Sequence, residues 1–177
     1  MKTVLMVGGP MGVGKTAACR QLKGKLDSCV FLDGDWCWDI HPFEADEENR
    51  AMVMDNIVFL LRRFLQNPQI HTVIFCWVLH KDSIYEQILT RLFEDGALPA
   101  EEVRVVKVFL VCEEKTLRER LSRDIAAGIR TPDVIGRSLE RLPLYAGLDT
   151  EKLVTDGLTA EQVAGRLQRL LAEESRP

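Results

Sequence analysis

The feature that most constrains this chain is a glycine-rich motif near its N-terminus, Gly9-Pro10-Met11-Gly12-Val13-Gly14-Lys15-Thr16. The motif fits the phosphate-binding template G-x-x-x-x-G-K-S/T, which requires a strand before it and a helix after it. Residues 4–7 are a short apolar run of the kind that forms a buried strand, and residues 17–22 have the pattern of a helix start. The sequence therefore predicts a strand, a phosphate-binding loop and a helix, with a nucleotide as the first ligand to consider.

The loop predicts specific roles for its residues. Glycines allow backbone N–H groups to approach phosphates closely, and a helix N-terminus adds partial positive charge. Lys15 is expected to reach the β- and γ-phosphates, and Thr16 is expected to offer its hydroxyl to Mg²⁺. The predicted nucleotide-binding residues of this segment are Gly9, Gly12, Val13, Gly14, Lys15, Thr16 and Ala17.

Composition limits the classes of protein to consider. A chain of 177 residues with 46% hydrophobic content predicts one domain over residues 1–177. The formal net charge of -4 argues against nucleic acid or an anionic membrane as a partner. Five cysteines without C-x-x-C spacing predict reduced thiols and argue against a zinc site. With neither a secretory signal nor a membrane-spanning run expected, the predicted location is cytoplasmic.

Strand-like and helix-like segments alternate along the rest of the chain. Further strands are predicted at 29–32, 72–78, 103–111 and 152–155. Helices are predicted at 46–66, after the capping boxes Ser83/Glu86, Thr116/Glu119 and Thr159/Gln162, and from Thr131-Pro132 to Leu142, where Pro143 interrupts the chain. Five strands alternating with helices predict an α/β fold, a parallel sheet covered on both faces, with its chemistry in the loops after the strands.

An acidic tripeptide, Asp33-Gly34-Asp35, follows the second predicted strand. Both carboxylates are expected at the same sheet edge as the phosphate-binding loop. Asp33 is predicted to help Thr16 hold Mg²⁺, and Asp35 to orient or deprotonate an acceptor hydroxyl. An acidic turn that only closes the strand is the alternative.

Five arginines on the helix predicted after Thr116 and in the segment that follows it suggest a lid over a nucleotide: Arg118, Arg120, Arg123, Arg130 and Arg137. Guanidinium groups neutralise phosphoryl charge or stack on a base, and Gly128 lies at a predicted turn. Simple helix ion pairs are the alternative for any one of them.

Aromatic and histidine residues near the ends of the second and third strands form a candidate wall of an acceptor pocket: Trp36, Trp38, His41, Pro42, Trp77 and His80. Packing in the core is the alternative for the tryptophans. His41 or His80 as a catalytic base is a weaker hypothesis.

Together, the phosphate-binding loop, the D-G-D tripeptide and the arginine-bearing segment resemble the small P-loop kinases of the shikimate, gluconate and nucleoside-monophosphate kinase group. The resemblance covers nearly the whole chain. It implies a three-layer P-loop NTPase fold, a five-stranded parallel sheet in the order 2-3-1-4-5, a lid around residues 118–137, and transfer of a phosphoryl group from ATP, with Mg²⁺, to a small molecule.

The resemblance also assigns roles by position. Lys15, Asp35 and Arg130 would be catalytic, Thr16 and Asp33 would manage Mg²⁺, and Arg120 would pack near the nucleotide as the arginine at the base of the lid. Arg123 is the second choice for the lid arginine.

Two departures from the group are visible. The third strand ends in Phe75-Cys76-Trp77 without an acidic residue, which disfavours a hydrolase, and the segment after Asp35 matches no known acceptor signature. The acceptor and the oligomeric state therefore stay open. A nucleoside or nucleotide kinase, an ATP-binding switch and a polynucleotide end-kinase are the alternatives to a metabolite kinase, and the acidic charge balance argues against the last.

Overall fold

The computed structural model describes residues 1–94 and 96–173. Its five strands are β1 (Lys2–Gly8), β2 (Cys29–Asp33), β3 (Thr72–Cys76), β4 (Val103–Val111) and β5 (Lys152–Val154). Its helices are α1 (Lys15–Lys23), α2 (Glu47–Gln66), α3 (Asp82–Phe93), α4 (Glu114–Ala126), α5 (Val134–Ala146) and α6 (Ala160–Glu173). The strands pair in parallel in the order β2-β3-β1-β4-β5. The predicted α/β class, P-loop NTPase fold and strand order are confirmed.

The central strand β1 is buried on both faces. Leu5 and Val7 belong to a core formed with α1, α4 and α6, whereas Val4 and Met6 belong to a second core formed with α2 and α3. Side chains alternate across a strand, so one short apolar run supplies both cores. The result is three layers: helices, sheet, helices.

The strand register brings the chemically important segments to one edge. Cys76 of β3 lies opposite Val7 of β1 and also opposite Asp33 of β2. Because all three strands are parallel, the residues that follow them emerge at the same carboxyl edge. The backbone N–H of Trp77 donates to the carbonyl of Val7 at 3.1 Å, which continues the pairing one residue beyond β3.

Two predicted capping boxes are wrong. Helix α3 begins at Asp82, so Ser83 already lies in its first turn, and no described side chain caps this helix. Helix α4 begins at Glu114, two residues before Thr116. There the carboxylate of Asp156 accepts the backbone N–H of Glu113 at 3.1 Å, so a tertiary contact replaces the local cap.

The predicted limits of α5 are also wrong, whereas the cap of α6 is confirmed. Pro143 lies inside α5, which continues to Ala146, and in this last turn the hydroxyl of the buried Tyr145 donates to the carbonyl of Val78 at 2.7 Å. For α6, the hydroxyl of Thr159 accepts the N–H of Gln162, and the Gln162 side chain accepts the N–H of Thr159. This is the reciprocal capping box that the sequence predicts.

The single domain over 1–177 stays a prediction, because residues 174–177 lie outside the described part of the chain. Within the described residues, none of the helices has both the length and the apolar character that a membrane crossing requires. Of the five cysteines, Cys19, Cys76 and Cys112 are buried, and the other two are half-buried.

A close contact between Gly34 and Trp77 fixes the end of β2 against the end of β3. A Cβ added at Gly34 would lie 2.5 Å from Cγ of Trp77, nearer than any real contact allows. Trp77 is 9% exposed, so its ring has little room to retreat. Glycine is therefore required here by close approach of the indole.

We predict that Gly34→Ala lowers the free energy of unfolding by about 1–3 kcal/mol, because the added methyl group overpacks the contact with Trp77. Urea denaturation followed by circular dichroism measures this change. The matched control is Gly136→Ala inside α5, where an added Cβ has no described atom within 4 Å. Alanine should stabilise that position by about 0.5–1 kcal/mol. Equal stability of Gly34→Ala and the wild type would contradict the proposed contact.

Candidate active site

A cavity of about 660 Å³ opens at the carboxyl edge of the sheet. This volume lies within the usual range for small-molecule sites. Its walls come from the phosphate-binding loop, Asp35, the inner face of α4, the segment after it and the loop that joins β5 to α6. The loop residues that line it are Met11, Gly12, Val13, Gly14, Lys15, Thr16 and Ala17. Of the predicted nucleotide-binding residues, only Gly9 does not line it.

The phosphate-binding loop adopts a conformation that needs its glycines. Gly12 and Gly14 have φ values of 82° and 101°, in the left-handed region that favours glycine. A Cβ at Gly12 would also meet the side chain of Leu121 at 2.6 Å, so the loop packs directly on α4. Gly14 precedes α1, and no described side chain caps this helix start. The first N–H groups of α1 are therefore available to an anion.

Lys15 is folded back onto its own loop. Its ammonium group donates to the carbonyls of Gly9 and Pro10, both at 2.8 Å. Burial lowers the pKa of Lys15, while the nearby carboxylates of Asp35 and Asp33 oppose that change. A lysine held by two neutral carbonyls, in a site that desolvates its charge, is prepared to exchange them for phosphate oxygens.

Thr16 and Asp33 are joined directly. The hydroxyl of Thr16 donates to the Asp33 carboxylate at 2.6 Å, and the other oxygen of that carboxylate accepts the backbone N–H of Asp35 at 3.1 Å. Asp33 is 5% exposed. Both groups are hard oxygen donors, the type that Mg²⁺ prefers, and this ion takes only one or two protein ligands beside substrate phosphates. The residues present thus fit the predicted ion.

Asp35 lies on the cavity wall across from the phosphate-binding loop. Part of the residue is exposed to the cavity, but surrounding protein desolvates the carboxylate. This desolvation, followed by repulsion from Asp33, raises its pKa. Lys15, a hydrogen bond from the Trp77 side chain and Arg130 partly offset the rise. A carboxylate with a raised pKa accepts a proton more readily than an ordinary aspartate.

Arg120 connects the phosphate-binding loop to the end of β5. Its guanidinium donates to the carbonyl of Val13 at 2.9 Å, to the hydroxyl of Thr155 at 3.0 Å and to the carbonyl of Thr155 at 2.8 Å. The residue also lines the cavity. Its guanidinium group is thus held by protein at the cavity wall, and its role beside a nucleotide stays a prediction.

The other four arginines divide into two groups. Arg123 and Arg130 line the cavity, and Arg130 forms an ion pair with Asp124 at 3.1 Å. Arg118 and Arg137 form ion pairs with the acids four residues earlier in the chain, Glu114 and Asp133, and do not line this cavity. For these two, the structure favours the simple ion-pair alternative.

For Trp77, the structure favours the alternative of packing in the core. Trp77 is buried against Gly34 and does not line the cavity. Trp36 is 51% exposed and packs edge-on against Phe31, with ring centroids 5.3 Å apart. Trp38 packs on Phe43. The structure thus shows aromatic packing around the D-G-D segment, and it leaves Trp36 as the exposed tryptophan next to Asp35.

Thr155 is a site residue that sequence reasoning missed. It is 1% exposed, it lines the cavity, and it holds Arg120 by two hydrogen bonds. Its position directly after a weak strand was the available signal, because loops after parallel strands carry the chemistry of such sheets. Its partner lies 35 residues earlier, so no local spacing links the two.

Solved structures with the same fold include several small kinases. The chain is similar to the tunicamycin resistance protein of Deinococcus radiodurans, with 18% identity, a TM-score of 0.67, and coverage of 100% of this chain and 98% of that one. It is similar to a shikimate kinase from Acinetobacter baumannii in complex with shikimate, with 18% identity, a TM-score of 0.65, and coverage of 100% and 96%. It is also similar to a gluconokinase from Sinorhizobium meliloti 1021, with 17% identity, a TM-score of 0.63, and 98% of both chains covered.

At these identities the similarity is one of fold. None of the curated proteins matches the sequence. The family model described as an AAA domain matches residues 5–131, which is well over half of the chain and includes the phosphate-binding loop, the D-G-D segment and Arg120. The chain therefore belongs to the AAA domain family and has the fold of the small P-loop kinases.

Proposed function

We propose that this protein transfers the γ-phosphoryl group of ATP to a hydroxyl group of a small molecule. The observation that carries the proposal is the position of Asp35, which shares one cavity with Lys15, Thr16 and Arg130. A carboxylate facing a phosphate-binding loop supplies the group that a kinase needs for its acceptor.

The proposed reaction is a direct transfer of the γ-phosphoryl group from ATP to the acceptor hydroxyl. The acceptor oxygen forms a bond to the γ-phosphorus as the bond from that phosphorus to the β–γ bridging oxygen breaks. ADP leaves with the electron pair of the broken bond, and the hydroxyl proton passes to Asp35. The raised pKa of Asp35 suits that proton transfer. Positioning and charge neutralisation supply the catalysis, without a covalent enzyme intermediate.

Lys15 would bind the β- and γ-phosphates in place of the carbonyls of Gly9 and Pro10. Thr16 and Asp33 would hold Mg²⁺, which neutralises phosphate charge when bound. Asp33 also accepts the N–H of Asp35, so the same carboxylate helps to position the acceptor group.

The arginines would bind the transferring phosphoryl group and the nucleotide. Arg130, whose charge acts on Asp35, is our choice for the transferring phosphoryl group, and Arg123 is the second choice. Arg120 would pack beside the nucleotide at the base of the lid around 118–137. Two similar structures are named as kinases, which supports transfer to a small molecule. The lack of an acid in Phe75-Cys76-Trp77 argues against activation of water.

We predict that Lys15→Ala abolishes phosphoryl transfer and weakens ATP binding, because the charge on the β- and γ-phosphates loses its partner. Asp35→Asn should retain ATP binding and lose transfer, because an amide does not accept the proton. Calorimetry measures binding. Mass spectrometry of a metabolite pool incubated with MgATP measures any species that gains one phosphoryl group. Full transfer by Asp35→Asn would refute the role of Asp35.

We also predict that Arg130→Met lowers turnover on the order of 100-fold, the usual loss when one preorganised donor to the transition state is removed. Arg118→Met is the matched control, because Arg118 forms an exposed ion pair with Glu114 outside the cavity. Steady-state ADP production in the presence of ATP and the unphosphorylated acceptor pool measures the turnover of both variants. A similar loss of turnover in the two variants would contradict a specific role of Arg130 and would show that turnover depends on the total charge of the lid.

A further inference from the structure

Thr155 lies where the ends of β4 and β5 meet, and all of its polar groups are engaged. Its backbone N–H and its hydroxyl both donate to the carbonyl of Val111, the last residue of β4, at 2.9 and 3.2 Å. Its hydroxyl oxygen and its carbonyl accept the guanidinium of Arg120 at 3.0 and 2.8 Å. The residue is 1% exposed. A buried hydroxyl with two partners has a fixed orientation, because loss of either partner would leave a polar atom unsatisfied.

Arg120 joins Thr155 to the phosphate-binding loop. Its Nη1 atom donates both to the Thr155 hydroxyl and to the carbonyl of Val13, the latter at 2.9 Å. Because the guanidinium is planar, these donors have fixed directions relative to one another. The acceptors are neutral oxygens, and within residues 1–94 and 96–173 Arg120 forms no ion pair. The arginine therefore orients the Val13 carbonyl and keeps its positive charge at the cavity wall.

The orientation of the Val13 carbonyl fixes the direction of the next N–H group in the loop. The peptide bond that joins Val13 to Gly14 is trans. In a planar trans peptide the C=O and the N–H point in opposite directions, so the N–H of Gly14 is turned away from Arg120. Among the described residues, no backbone carbonyl accepts this N–H, and Gly14 lines the cavity. The N–H is therefore available to a phosphate oxygen.

Helix α4 also packs on the loop through the residue after Arg120. A Cβ added at Gly12 would lie 2.6 Å from Cδ2 of Leu121, and Leu121 is fully buried. Two consecutive residues of α4 thus contact two consecutive residues of the loop, one by packing and one by a hydrogen bond. Packing is not directional and sets only how closely the loop approaches the helix, whereas a hydrogen bond also sets the direction of a peptide group. The hydrogen bond from Arg120 supplies that direction.

We infer that Thr155 is a positioning residue for the phosphate chain of the nucleotide. Through Arg120 it holds the phosphate-binding loop in the conformation that presents the N–H of Gly14 to a phosphate oxygen. The inference rests on the nucleotide binding of the proposed function, but not on its acceptor or its transfer step. A residue that acts through the loop affects every ligand with a phosphate chain, whether or not that ligand carries a base.

The test measures by calorimetry the affinity for MgATP and for inorganic tripolyphosphate with Mg²⁺, which has neither base nor ribose. Thr155→Val keeps the shape of the side chain and removes its hydroxyl. We expect this variant to weaken the binding of both ligands by the same factor, about tenfold or more, as when one hydrogen bond to a charged group is lost. Thr155→Ser keeps the hydroxyl and should retain most of the affinity for both ligands.

A double-mutant cycle with Arg120→Lys tests whether Thr155 acts through the arginine. Lysine keeps the positive charge and loses the planar fork, so Arg120→Lys should weaken tripolyphosphate binding at least as much as Thr155→Val. Adding Thr155→Val to Arg120→Lys should then cause no further loss. The matched control is Thr3→Val, a threonine that is 9% exposed at the amino end of β1 and outside the cavity. Circular dichroism checks that each variant is folded.

A loss of affinity for MgATP with unchanged affinity for tripolyphosphate would assign Thr155 to recognition of the base and overturn the inference. Equal affinities in Thr155→Val and wild type, additive losses in the double variant, or full affinity in Arg120→Lys would also overturn it. So would a wild-type protein that binds MgATP but not tripolyphosphate. A wild-type protein that binds neither ligand would refute the proposed function as well. Because no turnover is measured, the result does not depend on finding the acceptor.

Discussion

The hydrogen bond between the Thr16 hydroxyl and the Asp33 carboxylate is the interaction on which the candidate site depends. It joins the start of α1, the helix that follows β1, to the end of β2, although β3 lies between β1 and β2 in the sheet. The second oxygen of Asp33 accepts the backbone N–H of Asp35, so the same carboxylate also positions Asp35. A buried carboxylate with two partners is held rigidly, because loss of either partner would leave a desolvated charge.

The register of the sheet places Thr16 and Asp33 close together. Parallel pairing in register sets Val7, Cys76 and Asp33 side by side, so the segments after them meet at one edge. Trp77 then occupies the space over Gly34 and contacts Asp35, where other P-loop proteins place an acid. The absence of an acid at this position supports the proposed transfer to an acceptor molecule rather than to water.

Much of the fold was predictable because its signals are local. The strand segments appear as apolar runs, and the capping box of α6 uses two residues three positions apart. The caps of α3 and α4 were not predictable in this way. Glu113 is held by Asp156, more than forty residues away, and the turn of α5 after Pro143 carries Tyr145, which bonds to the distant Val78. In the site, the loop and D-G-D roles came from motifs, whereas the burial of Trp77 and the partnership of Arg120 with Thr155 depend on tertiary packing that no spacing reveals.

The central claim is that this edge passes a phosphoryl group to a second molecule and not to water. ATP labelled with ¹⁸O in its γ-phosphoryl group tests it directly, when the protein is incubated with Mg²⁺ and a small-molecule extract and the label is traced by mass spectrometry. We expect label in an organic phosphate that forms with wild-type protein. Label released only as inorganic phosphate would identify a hydrolase and contradict the account.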